Sequence, residues 1–260
     1  MSIERPESPF TGLHPSMPTH LDLPSSDSIG SAESLIRPRF PTQFDLPSTD
    51  GLPVENAYHH PQSALLTSTL TPVLDGFHQD GNYFLGADTG IFWQINKEPL
   101  QGCKAPDWYY IPNVPRLLDG DIRRSYVLWE EYGRPLIVIE FVSGDGSDER
   151  DASPATGKFW VYEHAVAATH YVIWDRSRRV LEAYELWRGK YRRTEANEHG
   201  RYPIPTMEVE FGIWDGTFFG YETCWLRAWD RQGRLLPTPQ ERAAKLAAKL
   251  RELGVDPDSV

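Results

Sequence analysis

The chain has 260 residues, 40% hydrophobic and 12% aromatic with nine Trp, which is enough for one substantial core without requiring two domains. Its formal net charge of -11 gives no global attraction for nucleic acid or an anionic membrane, so any polyanion has to be met locally. Cys103 and Cys224 stand far apart and outside any C-x-x-C pair, which excludes a disulfide framework or a cysteine zinc site as the organising element.

Met1 to Phe10 carries Glu4, Arg5, Glu7 and two prolines with no apolar h-region. No stretch approaches the roughly eighteen apolar residues of a membrane span. A cytoplasmic protein with no membrane partner is expected. Residues 1–53 are rich in Pro, Ser, Thr and Asp and show no sustained hydrophobic period. Such a segment buries too little apolar surface to offset its ordering entropy, so it is expected to be a disordered or loosely ordered arm. A folded domain is then expected over 54–237, followed by a C-terminal helix and tail over 238–260.

From Pro61 the pattern changes. Ser63 to Leu66 and Leu70 suit a short helix with Pro61 in its first turn, ending near Pro72. Asp80-Gly81 marks a turn. Tyr83-Phe84-Leu85 and Gly90 to Ile95 read as two strands, or as one interrupted by Gly86-Ala87-Asp88. Asp107 to Pro112 is an aromatic strand opened by Pro106. Asp121 to Gly133 is read as a helix, although Tyr126 to Trp129 also suits a strand.

Leu136 to Val142 is apolar at every position but one and rich in β-branched residues, the pattern of a strand buried on both faces. The exception is Glu140. Alternation puts Val138, Glu140 and Val142 on one face and Ile137, Ile139 and Phe141 on the other. A carboxylate there has to be paired, bound to a metal, or protonated. A strand-end ion pair with an arginine and a functional role both satisfy that demand.

Gly144 to Gly157 has the composition of a loop, with Asp145, Asp148, Glu149 and Asp151 spaced unlike a calcium-binding loop, so a solvated loop is expected. Lys158 to Ala167 has helical spacing, and Tyr171 to Asp175 is a short apolar strand, which makes a β-α-β unit with the strand before it. Val180 to Trp187 and Lys190 to Glu195 form a hairpin about Arg188-Gly189. Further strands are expected at Met207 to Trp214 and Phe218 to Tyr221, and a C-terminal helix at Glu241 to Leu253, ended by Gly254 and Pro257. The class is α/β or α+β with a mixed sheet.

If the strands of Asp107 and Glu140 are neighbours, two carboxylates converge at one edge of the sheet and make an oxygen-donor site for Mg2+ or Mn2+. A hard cation so bound lowers the pKa of a water and offsets phosphate charge, the requirement of phosphodiester hydrolysis. Asp beside Pro is also a common turn former. Pro106-Asp107 followed by Ile139-Glu140-Phe141-Val142-Ser143 resembles the PD-(D/E)XK nuclease superfamily. Within it, the chain resembles the Uma-two family of bacterial proteins regarded as restriction endonucleases. Lys104-Ala105-Pro106-Asp107-Trp108, Gly157 to Glu163 and Arg251 to Pro257 carry that resemblance, which extends from about Phe40 to the C-terminus.

The resemblance implies a restriction-endonuclease-like α/β core, a mixed sheet flanked by helices with extra C-terminal strands and a C-terminal helix. It also implies a metal-dependent DNA endonuclease, with Asp107 and Glu140 as metal ligands and Lys158 as the third catalytic residue. Here the chain departs from the superfamily pattern, which has a Lys two positions after the Glu, where this chain has Val142. In the resembling family the basic residue is expected on the following helix, and Lys158 stands at its start. Lys158 in isolation also fits a solvated residue at a helix start.

Asp88 and Glu55 are further acids that such a fold could bring near the site, though each also suits a turn or a cap. His59-His60 and Glu163-His164 lack the spacing of helical zinc ligands and read as surface or core histidines. Arg123-Arg124, Arg176 with Arg178-Arg179, and Arg192-Arg193 are local cations suited to phosphate contacts or to ordinary surface charge. Symmetric cleavage of a duplex would favour a homodimer. Against the nuclease stands a catalytically inactive protein of the same fold, an interaction module working through the C-terminal helix and the arm. The convergence of Asp107, Glu140 and Lys158 separates the two, since a module has no need of it.

Overall fold

The buried strands assemble into one mixed sheet in a computed structural model that describes residues 39–47 and 57–257. After helix α1 (His59–Phe77) come β1 (Tyr83–Gly86), β2 (Trp108–Pro112), β3 (Ile137–Phe141), β4 (His170–Asp175), β5 (Val180–Trp187) and β6 (Lys190–Arg193). These six strands lie side by side in chain order. Neighbours are antiparallel except β3 and β4, which run parallel. A parallel pair needs a long crossover, and this one contains α2 (Lys158–Trp160) and the π-helical turn Val161–Ala165 that continues it.

All five residues of β3 are buried, as its near-continuous apolar text requires. Ile137, Ile139 and Phe141 join Trp108, Tyr110, Val172 and Trp174 against Leu66, Leu70 and Leu74 of α1. Val138 joins Tyr109, Ile111, Tyr171 and Ile173 against Val161, Tyr162 and Val166 of the crossover. Burial of each such side chain contributes about 1.5–3 kcal/mol. The two faces of β3 therefore serve two helical layers.

Helix α1 is longer than expected and passes through Pro72. Pro72 is exposed, so the backbone hydrogen bond it removes is lost on the solvent side, while Leu66, Leu70 and Leu74 keep the apolar period on the other. The stretch Asp121 to Gly133 is not a helix throughout: Tyr126–Val127 pairs in parallel with Ile91–Phe92, and only Leu128–Glu131 is helical. Arg123 lies buried in this segment, paired with Glu131 and bonded to the Pro115 carbonyl.

The two short strands expected after Met207 are parts of one long hairpin. After β7 (Tyr202–Ile204), β8 (Val209–Phe218) and β9 (Tyr221–Asp230) pair over their whole lengths. Phe219 and Gly220, at φ of 49° and 80°, make a two-residue turn whose positive φ values match the strand twist. Gln62 of α1 fastens this second sheet by bonding both the amide and the carbonyl of Leu226 at 2.9 Å. Helix α3 (Pro239–Glu252) opens with a capping box between Thr238 and Glu241.

Residues 1–38 and 48–53 of the expected arm lie outside the described residues. Its described part docks on the domain: Leu46 packs with Phe92 and Val127, and Gln43 Oε1 accepts the Arg124 amide at 2.9 Å. No helix among the described residues is long and apolar enough to cross a membrane.

Candidate active site

The register of β2 against β3 brings the two predicted acids together. Trp108 stands opposite Ile139 and Tyr109 opposite Val138, so the next step of the ladder sets Asp107 across from Glu140. Asp107 closes that step itself, its Oδ2 accepting the Phe141 amide at 2.6 Å. Its other oxygen, Oδ1, lies 2.8 Å from His59 Nδ1 at the start of α1. Ser63, one turn further along α1, donates to the Asp107 carbonyl at 2.9 Å. Asp107 is thus fixed from β3 on one side and from α1 on the other.

Glu140 points to the crossover layer, as alternation along β3 requires. It is 1% exposed. Lys158 and Tyr162, four residues apart on one face of the crossover helix, both reach it. Lys158 Nζ lies 3.2 Å from Oε2, and the Tyr162 hydroxyl donates to Oε1. Full burial drives the Glu140 carboxyl up to about 8. The Lys158 charge pulls it down and Asp107 adds to the rise. Burial acts on Lys158 in the opposite sense, but Glu140, Asp148 and Glu149 more than offset it, and the ammonium is held above its ordinary pKa.

The acidic loop takes part, contrary to the expectation of a solvated segment. Glu149 is 3% exposed, its carboxylate 3.5 Å from Lys158 Nζ, while the more exposed Asp148 reaches the same nitrogen at 3.0 Å. The Tyr171 hydroxyl donates to the Glu149 carbonyl at 2.8 Å, and Arg150 pairs with Glu182. Gly157 lets the loop close on the helix start, since a Cβ there would lie 2.2 Å from the Asp151 carbonyl oxygen. Three carboxylates, Glu140, Asp148 and Glu149, surround one lysine, and a fourth, Asp107, stands across the ladder from Glu140.

Glu140 and Lys158 therefore meet, with Tyr162 and Glu149 beside them, and Asp107, held by His59, stands opposite Glu140 on the neighbouring strand. Tyr162 had a signal in its i, i+4 spacing from Lys158; Glu149 and His59 had none, because their contacts are made by tertiary packing. Asp88 is exposed, and Glu55 lies outside the described residues. Of the candidate phosphate contacts, Arg123 is committed to its buried pair with Glu131. Among the described residues no group of three or more His, Cys, Asp or Glu side chains is placed to hold a metal ion.

Removing the Tyr162 hydroxyl tests this architecture at small structural cost. Tyr162→Phe leaves Oε1 of Glu140 without a donor in an apolar setting, which costs about 1–3 kcal/mol for the ionised form. The fold should persist, and Glu140 should ionise at higher pH than in the wild type, which melting curves measured across pH check.

The sequence model of the Uma2 family, described as "Putative restriction endonuclease", matches residues 52–218. Among solved structures the chain is similar to "a putative nuclease belonging to DUF820 from Anabaena variabilis ATCC 29413", at 12% identity and a TM-score of 0.39, over 60% of this chain and 76% of that one. No curated protein matches.

Proposed function

The chain belongs to the Uma2 family, and on that premise we propose that it hydrolyses DNA phosphodiester bonds with a divalent cation, Mg2+ or Mn2+, held by Asp107 and Glu140. The observation that carries this reading is the pairing of two carboxylates from opposed positions on neighbouring strands with an ammonium 3.2 Å from one of them. The donors suit the cation. Mg2+ takes one or two carboxylates and completes its shell with waters and substrate phosphate oxygens, so a full protein cage is not needed. The surplus of negative charge around Lys158 favours the same occupant, and a cation would displace the proton that burial encourages on Glu140.

When bound, the cation offsets charge on the phosphate and acidifies a water. The chain's own residues supply the rest. His59 and the Phe141 amide hold Asp107 in one orientation, and Tyr162 holds Oε1 of Glu140. Lys158, kept charged by its carboxylates, is a donor and not a base. Its ammonium can orient the attacking water or stabilise the charge that grows on the phosphate as the new P–O bond forms and the sugar oxygen leaves. In a duplex a homodimer would bring one such centre to each strand.

The test is cleavage of single-stranded, duplex and supercoiled DNA by the purified protein with Mg2+, Mn2+ or EDTA. Cutting with either metal and none in EDTA is expected. No cutting under any condition, together with no Mn2+ binding by calorimetry, would replace this reading with that of a catalytically inactive interaction module.

A further inference from the structure

Three arginines follow Asp175 at the end of β4. Two are held by carboxylates: Arg178 Nη1 lies 2.8 Å from Asp175 Oδ2, and Arg179 grips both oxygens of Asp215 at 2.7 and 2.8 Å. Arg176 is different. Among the described residues it pairs with no carboxylate; its guanidinium lies 5.0 Å from the centre of the Tyr58 ring, and Nη1 donates to Thr223 Oγ1 at 3.5 Å. It is exposed.

Its position gives that cation a use. β3 and β4 run parallel with Phe141 beside Trp174, so Arg176 leaves the sheet at the end where Asp107 and Glu140 stand. Tyr58 precedes His59, which holds Asp107 at 2.8 Å. The rings of Tyr58 and His59 both pack on Phe141, at 6.3 and 5.5 Å, beside Glu140. One aromatic contact thus separates the ring under the guanidinium from Phe141, whose amide holds Asp107.

We propose that Arg176 is a phosphate-binding residue that grips the nucleic-acid backbone next to the bond cleaved. The inference rests on the nuclease reading and adds where the substrate is held. Within the site, four carboxylates outnumber the single ammonium of Lys158, so flanking phosphates need a cation from the rim. A guanidinium held over an aromatic ring, with only a long bond from Nη1 to Thr223, keeps its other donors available for the oxygens of a phosphate in a planar fork that a lysine does not match. Arg178 and Arg179, already engaged by carboxylates, lack that freedom.

The test is anisotropy of a labelled DNA duplex in EDTA at several KCl concentrations, with cleavage kinetics in Mg2+ measured alongside. Arg176→Ala should weaken binding about tenfold and lower the slope of log affinity against log salt by about one. It should raise KM with kcat little changed, and leave melting unaffected. Arg176→Lys should restore the salt slope but only part of the affinity. Arg192→Ala, at the opposite end of the sheet, should match the wild type in both assays. An Arg176→Ala protein with wild-type affinity, slope and KM overturns the proposal, as does a wild-type protein that binds no duplex. Binding that depends on Arg176 without any metal-dependent cutting would sink the nuclease reading and keep the phosphate site.

Discussion

Glu140→Gln is expected to lose metal-dependent cleavage by about 10³-fold or more, and at the same time to make the metal-free protein more stable. The two effects have one cause. Burial raises the Glu140 carboxyl from its ordinary value to about 8, so between those values the folded state binds a proton that the unfolded state has released. Stability from this group therefore falls as pH rises from about 4.5 towards 8. An amide of the same shape has no charge to desolvate. The variant should melt close to the wild type near pH 5 and higher by about 5 °C or more at pH 9, in EDTA. Added Mn2+ should raise the wild-type midpoint and leave that of the variant nearly unchanged. Below pH 8 the wild-type affinity for Mn2+ should rise with pH, because proton and cation compete for one carboxylate; calorimetry at three pH values reads it. A variant that is less stable than the wild type at pH 9 would mark Glu140 as a structural ion-pair residue.

The paired acids were legible in the sequence because each stands in a recognisable setting. Glu140 interrupts an apolar strand, and Asp107 opens an aromatic one; strand periodicity then fixes the face of Glu140, and the antiparallel register completes the pair. Lys158 was legible through the family text alone, since nothing local distinguishes it from a solvated lysine. The rest depended on contacts between distant segments. Glu149 sits in a stretch with the composition of a loop, yet is buried because the Tyr171 hydroxyl and Gly157 draw that loop onto the crossover. His59 follows a segment without period and meets Asp107 only because α1 packs across the sheet. The long β8–β9 hairpin was missed because its turn, Phe219-Gly220, lacks the Asn-Gly or Asp-Gly that usually signals two positive φ values.

Lys158→Met should separate the roles of cation and ammonium. Cleavage is expected to fall about 10²–10³-fold, the range for removal of a preorganised donor to a transition state. Mn2+ affinity should hold or tighten, because the carboxylates lose a competing positive charge while the proposed ligands stay in place. Stability moves in the direction opposite to that of Glu140→Gln. The folded-state pKa of Lys158 stands above its ordinary value, so its contribution is fully present below about 10.5 and is lost only as pH rises beyond that. Removing it at pH 9, where Glu140 is ionised, leaves the buried Glu140 and Glu149 without their counter-charge, at a cost of about 3 kcal/mol, and saturating Mn2+ should return much of the loss. Lys158→Arg should retain most of the stability and little of the rate, since a planar guanidinium keeps the charge but not the donor directions. If the pair were structural alone, removing either partner would destabilise the protein. Opposite shifts of the two melting temperatures, one up and one down at alkaline pH in EDTA, are what a site with excess negative charge and a missing cation requires.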